Sequence, residues 1–131
     1  RVHRFASYFT GEMYALLRHH SMLGRPATEP ADEAGFARGL AAAAADAGGS
    51  ARAGLLHLLF SARAATVTGR LPPAQLGPYL SGLLTGEEVA GALRVFPDPG
   101  TVTIIQAPER AALYAQALAA HGLASRILDP E

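Results

Sequence analysis

Phe96-Pro97-Asp98-Pro99-Gly100 interrupts the chain with two prolines and a glycine, and the residues on its two sides differ in kind. Neither a helix interior nor a central strand tolerates so many fixed φ angles and missing N–H donors in a row. After the break, Thr101-Val102-Thr103-Ile104-Ile105 is a β-branched run that reads as a buried strand. Pro108 suits the first turn of a helix running to His121, and Gly122 stops it. Residues 123–128 read as a last strand. Strand, helix and strand in that order predict a parallel pair joined by a right-handed crossover. Before the break the hydrophobic spacing is mostly helical. The expected fold class is therefore α/β, helix-rich, with a small, partly parallel sheet.

Residues 2–9 read as a further strand, with β-branched and aromatic residues ahead of a glycine. Thr10 is placed to cap the helix that follows, and Glu12 lies in its first turn, where the helix dipole favours an acid. That helix is expected to run to about His20, with Met13, Leu16, Leu17 and Leu23 toward a core. Two prolines make 24–31 a loop. Asp32 is placed to cap a second helix, with Phe36, Leu40 and Ala44 on one stripe, and Gly48-Gly49-Ser50 ends it. A third helix, from Leu55 to about Thr68, carries Leu55, Leu56, Leu58, Leu59 and Phe60. It is apolar on most sides and is expected to be buried.

After a turn at Gly69-Arg70-Leu71-Pro72-Pro73, a fourth helical region covers about 74–95. In it Gly82, Gly86 and Ala90 recur every four residues, a row that lets another backbone approach closely. The charges Glu87, Glu88 and Arg94 speak against a membrane-dimer reading of that row. Thr85 and Glu88 have the spacing of a capping box.

Eleven basic and eleven acidic residues cancel, so the chain lacks the electrostatic footprint of a nucleic-acid or anionic-membrane binder. All eleven basic residues are Arg. There is no cysteine, which excludes disulfide and thiolate chemistry and is compatible with a reducing cytoplasm. No apolar run reaches the roughly 20 residues of a membrane helix. The start, Arg1-Val2-His3-Arg4, lacks the apolar region of a signal peptide. The chain opens in what reads as mid-strand and is expected to be a piece of a longer protein.

Local catalytic signatures are missing. There is no GxxxxGK[ST] phosphate loop, no GxGxxG fingerprint, no GxSxG elbow and no HExxH pair. His19 and His20 are adjacent on a helix and point about 100° apart, which disfavours joint metal ligation. They read instead as a helix C-terminus whose imidazoles interact with the last carbonyls. His57, in an apolar helix, reads as a hydrogen-bonded core residue, and His3 and His121 as surface or cap positions. Glu12 stands where a strand gives way to a helix, the place where α/β folds collect ligands. Arg63, a lone charge on an apolar helix, is equally suited to bidentate binding of a carboxylate or phosphate and to snorkelling or a structural ion pair.

Four blocks, in order, resemble the 2-dehydro-3-deoxygalactonokinase family. The first runs from Phe5 through Leu23, centred on Tyr8-Phe9-Thr10-Gly11-Glu12-Met13-Tyr14. The second is Leu59-Phe60-Ser61-Ala62-Arg63 and the third Tyr79-Leu80-Ser81-Gly82-Leu83-Leu84-Thr85-Gly86-Glu87-Glu88. The fourth comprises 102–118 and 122–129. The resemblance implies membership of the sugar-kinase, heat-shock ATPase and actin superfamily, with two ribonuclease-H-like domains around a cleft. Residues 1–131 would then be a single domain, most of the C-terminal lobe, with the N-terminal lobe missing. It further implies ATP-dependent phosphorylation of 2-dehydro-3-deoxygalactonate at its 6-hydroxyl, with ATP and Mg²⁺ as cofactors and a cytoplasmic setting.

By the same resemblance Thr10, Gly11, Glu12 and Arg63 are substrate- or phosphate-proximal candidates. Ser81, Gly82, Gly86, Gln106, Ala107 and Pro108 are nucleotide-proximal candidates. The catalytic residue is expected outside this chain, no metal ligand is assigned within it, and the chain alone is expected to be inactive. One departure stands out: family members tend to carry Gly-Ala-Pro where this chain has Gln106-Ala107-Pro108. The readings left open are a related kinase for another sugar acid, a non-catalytic ATP-sensing or interaction domain, and a homodimer formed through apolar helices.

Overall fold

In a computed structural model, the structure describes residues 1–130. Five helices and two strands follow in the order α1 (Thr10–His20), α2 (Ala34–Ala47), α3 (Leu55–Val67), α4 (Pro73–Val95), β1 (Val102–Ile105), α5 (Pro108–Ala120) and β2 (Ser125–Leu128). The chain divides into two compact units, Arg1–Glu88 and Val89–Glu131.

The first unit is helical, and α4 supplies its axis. Leu76, Leu80 and Leu83 are completely buried, and Leu84 nearly so. Around them gather Leu58, Leu59 and Ala62 of α3 and Ala43 of α2, with Met13, Tyr14 and Leu17 of α1 at the margin. Burying each leucine of this kind is worth roughly 1.5–3 kcal/mol. Leu71 joins the core because Gly69, at φ +74°, reverses the chain just after α3. The amides of Arg70 and Leu71 then donate back to the Ala65 carbonyl.

Glycine sets the α2–α4 distance. A Cβ on Gly39 would strike the Tyr79 carbonyl, and one on Gly82 would strike the Phe36 carbonyl. Gly35 stands in the same relation to the Gln75 carbonyl, and a Cβ on Gly86 would lie 2.8 Å from that of Ala43. The row of small residues expected from the sequence is thus used for backbone-to-backbone packing.

Pro78, inside α4, cannot donate to the Ala74 carbonyl. The Asp32 amide donates to that carbonyl instead, at 2.8 Å, and the Thr28 amide reaches the Pro73 carbonyl at 3.2 Å. Around this seam Gln75 Nε2 donates to Asp32 Oδ2 at 2.8 Å. Arg38 donates to Gln75 Oε1 and to the Arg70 carbonyl.

The second unit holds the expected parallel pair, in register Val102↔Ser125, Thr103↔Arg126, Ile104↔Ile127 and Ile105↔Leu128. α5 packs on both strands. Only Ile104 is buried in the sheet, whereas Ile105 is 65% and Leu128 47% exposed. The expectation of a buried β1 therefore holds for one residue of four.

Other expectations need correction. Residues 2–9 form no strand: Val2, Phe5 and Phe9 are exposed, and neither strand among the described residues pairs with them. Strand propensity yields no ladder without a neighbouring strand. The α1 cap position is Phe9 and Thr10 is the first helical residue. Leu16 faces solvent, and the α2 stripe continues to Ala43 instead of Ala44. Thr85 is buried mid-helix, so it starts no capping box. On α3, Leu56, Phe60 and His57 are exposed, which overturns both the all-round burial of that helix and the core reading of His57.

Candidate functional site

The family-derived candidates fall on four elements. Thr10, Gly11 and Glu12 form the first turn of α1. Thr10 is half-buried, and Gly11 and Glu12 are exposed. The N-cap Phe9 has no side-chain acceptor to offer, so the first amides of α1 lack the usual Ser, Thr or Asp partner. An uncapped helix N-terminus carries partial positive charge, and Glu12 places a carboxylate beside it.

The far end of α1 is held firmly. Ser21 Oγ donates to the Leu17 carbonyl at 2.6 Å and accepts from the Leu23 amide at 3.2 Å. Arg18 pairs with Glu29 at 3.3 Å and lies with Tyr14 over Gly77 of α4. Burial pushes the Tyr14 hydroxyl above its ordinary pKa, and Arg18 opposes that shift.

Ser81, Gly82 and Gly86 lie on α4. Ser81 is half-buried, but both glycines are buried with their open side filled by α2. Their lack of a side chain is accounted for by helix contact. Gln106, Ala107 and Pro108 link the carboxyl end of β1 to the first turn of α5. Gln106 is half-buried and the other two are exposed. Among the described residues only glycines have a positive φ, so the backbone at Gln106 is one that any amino acid adopts.

Arg63 projects from α3, half-buried, and forms no hydrogen bond or ion pair among the described residues. Side-chain hydrogen bonds do not link Thr10, Glu12, Arg63 or Ser81 to one another. His19 and His20 are exposed in the last turn of α1. Among the described residues no group of three or more His, Cys, Asp or Glu side chains converges as a metal site would require.

Sequence reasoning missed one charged cluster. Arg52 donates to Glu87 Oε2 at 2.5 Å and lies 3.5 Å from Asp46 Oδ2. Asp46 also accepts from the Ala53 and Gly54 amides. Those backbone donors, the Ala53 amide foremost, hold its carboxyl below the usual range. Glu87 Oε1 is buried without a partner. The cluster ties the 48–54 loop to α4. Its one sequence signal is an acid placed just ahead of Gly48-Gly49-Ser50, since the partners are 6 and 41 residues away from Asp46.

Three comparisons bear on these blocks. The chain matches the 2-keto-3-deoxy-galactonokinase family along residues 1–131. It is 35% identical over 127 residues to the 2-dehydro-3-deoxygalactonokinase of Escherichia coli (strain K12), covering 93% of this chain and 40% of that protein. A probable 2-dehydro-3-deoxygalactonokinase of Rhizobium meliloti (strain 1021) is 34% identical, with 100% of this chain and 42% of that protein covered. A solved Sinorhizobium meliloti structure, provisionally described as a 2-dehydro-3-deoxygalactonokinase, superposes with a TM-score of 0.73 at 26% identity. That match covers 97% of this chain and 40% of the solved one. The chain thus spans about two fifths of the length of the relatives it matches. With every residue inside the match, the chain belongs to the 2-keto-3-deoxy-galactonokinase family.

Proposed function

We propose that this chain is part of a kinase that moves the γ-phosphoryl group of ATP to the 6-hydroxyl of 2-dehydro-3-deoxy-D-galactonate, in cytoplasmic galactonate catabolism. The observation that carries the reading is the family match along 1–131, with 35% identity to the Escherichia coli enzyme. In the reaction the bond from the γ-phosphorus to the β,γ-bridging oxygen breaks and a bond to the sugar oxygen forms. The hydroxyl proton leaves, and ADP departs. Such transfer depends on positioning and on charge stabilisation around the phosphates.

Two features of this chain suit that work. The uncapped first turn of α1 offers amides to an anionic group, with Thr10 and Gly11 at the contact and Glu12 to accept from a hydroxyl. The Gln106-Ala107-Pro108 loop leaves the carboxyl end of a parallel strand and enters a helix, the usual location of ligands in α/β sheets. We assign it, with Ser81, to the nucleotide side. Gly82 and Gly86 then serve indirectly, by fixing α4 against α2. Mg²⁺ in such reactions is held by phosphates and one or two carboxylates. With no converging metal cluster among the described residues, no metal-holding role is given to them. The two-lobed, ribonuclease-H-like architecture is part of the same proposal, and the β1–α5–β2 unit supports it. Residues 1–131 would form most of its C-terminal lobe.

Gln106 favours one second reading, a relative with altered nucleotide use. Direct ATP titration of the full-length protein and of Gln106→Gly addresses it. The main test is ADP release from the full-length protein with ATP, Mg²⁺ and 2-dehydro-3-deoxygalactonate beside its gluconate epimer. Turnover favouring the galactonate form is expected. A preference for the epimer would reassign the substrate, and silence on both from folded protein would overturn the kinase reading.

A further inference from the structure

The 48–54 loop joins α2 to α3 without an apolar anchor, since residues 48–53 are all exposed. The hydrophobic effect therefore contributes little to holding it down. Its attachment is polar. Arg52 donates to Glu87 Oε2 of α4 and lies 3.5 Å from Asp46 Oδ2 near the end of α2. Asp46 in turn accepts from the Ala53 and Gly54 amides, at 2.9 and 3.1 Å. The two acidic side chains are 9% and 12% exposed, so their attraction to the guanidinium is only weakly screened. Both stand on helices anchored in the core, Asp46 three residues after Ala43 and Glu87 three after Leu84. Of the three charged groups, Arg52 alone is carried by the loop.

Glycines bound the loop at both ends. Gly48 and Gly49 follow α2, and Gly54 precedes α3 at φ +89°, where an added Cβ would meet open space. Glycine crosses between backbone conformations that other residues rarely visit. Closure also carries a penalty: Glu87 Oε1 is buried with no donor among the described residues, and opening would give it water. We propose that 48–54 is a strap that opens and recloses as a unit above a folded core, with Arg52 as its latch across Asp46 and Glu87. Opening leaves two neighbouring carboxylates without the cation between them, which favours recapture of Arg52. The motion ends at the first turn of α3, where the Leu58 amide donates to the Gly54 carbonyl and the Leu58 side chain is buried. The strap is independent of the kinase reading.

Hydrogen exchange on the full-length protein tests it, read on a peptide covering 48–56 beside one covering 80–84 in the core of α4. The strap should exchange by local opening, faster than the core peptide and slower than an unstructured segment. Arg52→Gln should lower strap protection about 10-fold and leave the core peptide unchanged. Arg52→Lys keeps the charge without the planar fork and should fall between the two. Glu87→Gln added to Arg52→Gln should cause no further loss, because the anion it removes is already unpaired. Thermal melts of each variant verify folding. A wild-type strap that exchanges together with the core, or as fast as an unstructured segment, overturns the proposal. So does a strap indifferent to Arg52→Gln, a Lys variant no better protected than the Gln variant, or a double variant in which the losses simply add.

Discussion

In the Arg1–Glu88 unit, helices close on one another until backbone touches backbone. In the Val89–Glu131 unit, a four-residue parallel ladder rests on one helix. The five largest fully buried side chains, Phe36, Leu71, Leu76, Leu80 and Leu83, all belong to the first. The second buries three alanines, Ala90, Ala111 and Ala117, and three larger residues, Val89, Ile104 and Leu118. The contrast follows from how each element satisfies its backbone. A helix pairs its amides internally and needs only a partner for its apolar face. A two-stranded sheet leaves a row of unpaired groups along each outer edge, and a parallel one is normally covered on both faces. Ile105 and Leu128 mark the exposed face of this sheet.

The comparison can be broken at its strongest point first. Leu80→Ala removes a fully buried side chain and should cost about 4 kcal/mol by denaturant unfolding, within the usual range for buried leucines. A loss under about 1 kcal/mol would mean that the first unit is not well packed. Gly82→Val should cost about 3 kcal/mol, because its side chain meets the Phe36 carbonyl with no flexible atom to yield. Unchanged stability there would remove the close α2–α4 approach from the account.

Ile105→Ala and Leu128→Ala sharpen the contrast from the other side. Both should stay within about 0.5 kcal/mol in the isolated chain, as exposed positions do. Hydrogen exchange should show the β1 and β2 amides opening before the middle of α4, and the reverse order would contradict the ranking of the two units.

The smallest effect concerns acid. The Asp46 carboxyl is held below its ordinary pKa, so its contribution is fully present above about pH 4 and is lost as pH falls through the lowered value. Asp46→Asn should flatten the acid limb of a melting-temperature profile below about pH 4 and leave the neutral-side slope alone. A variant that retains the wild-type acid limb would show that the 48–54 loop does not depend on that charge.

The helices were legible because stop signals and 3.6-residue spacing are local, whereas the cap expected at Thr10 falls at Phe9 and the capping box expected at Thr85 lies inside α4. α1 ends at His20, α4 at Val95, and α5 begins at Pro108, all as the sequence implies. The parallel pair was legible too, since the Phe96–Gly100 break isolates a strand–helix–strand order. What eluded the sequence depends on a second body. Residues 2–9 have strand composition but no neighbouring strand here. Leu56 and Phe60 are as hydrophobic as Leu58 and Leu59, and only the position of the other helices determines which pair is covered.

Gly82 and Gly86 announced a close approach without naming its partner, which the fold supplies as α2. The Asp46–Arg52–Glu87 cluster joins residues too far apart in the chain for spacing to reveal. Of the candidate site, the residues came from family resemblance. The structure adds an uncapped α1 terminus and a β1–α5 loop with ordinary backbone angles.

The most direct measurement is ADP release from the full-length protein and from the isolated 131-residue chain, side by side, with ATP, Mg²⁺ and 2-dehydro-3-deoxygalactonate. The account predicts turnover from the former and none from the latter, since this chain supplies the helix terminus and the strand-end loop proposed to face phosphate and nucleotide, but no assigned base or metal site. Turnover by the isolated chain, or silence from a folded full-length protein, would contradict it.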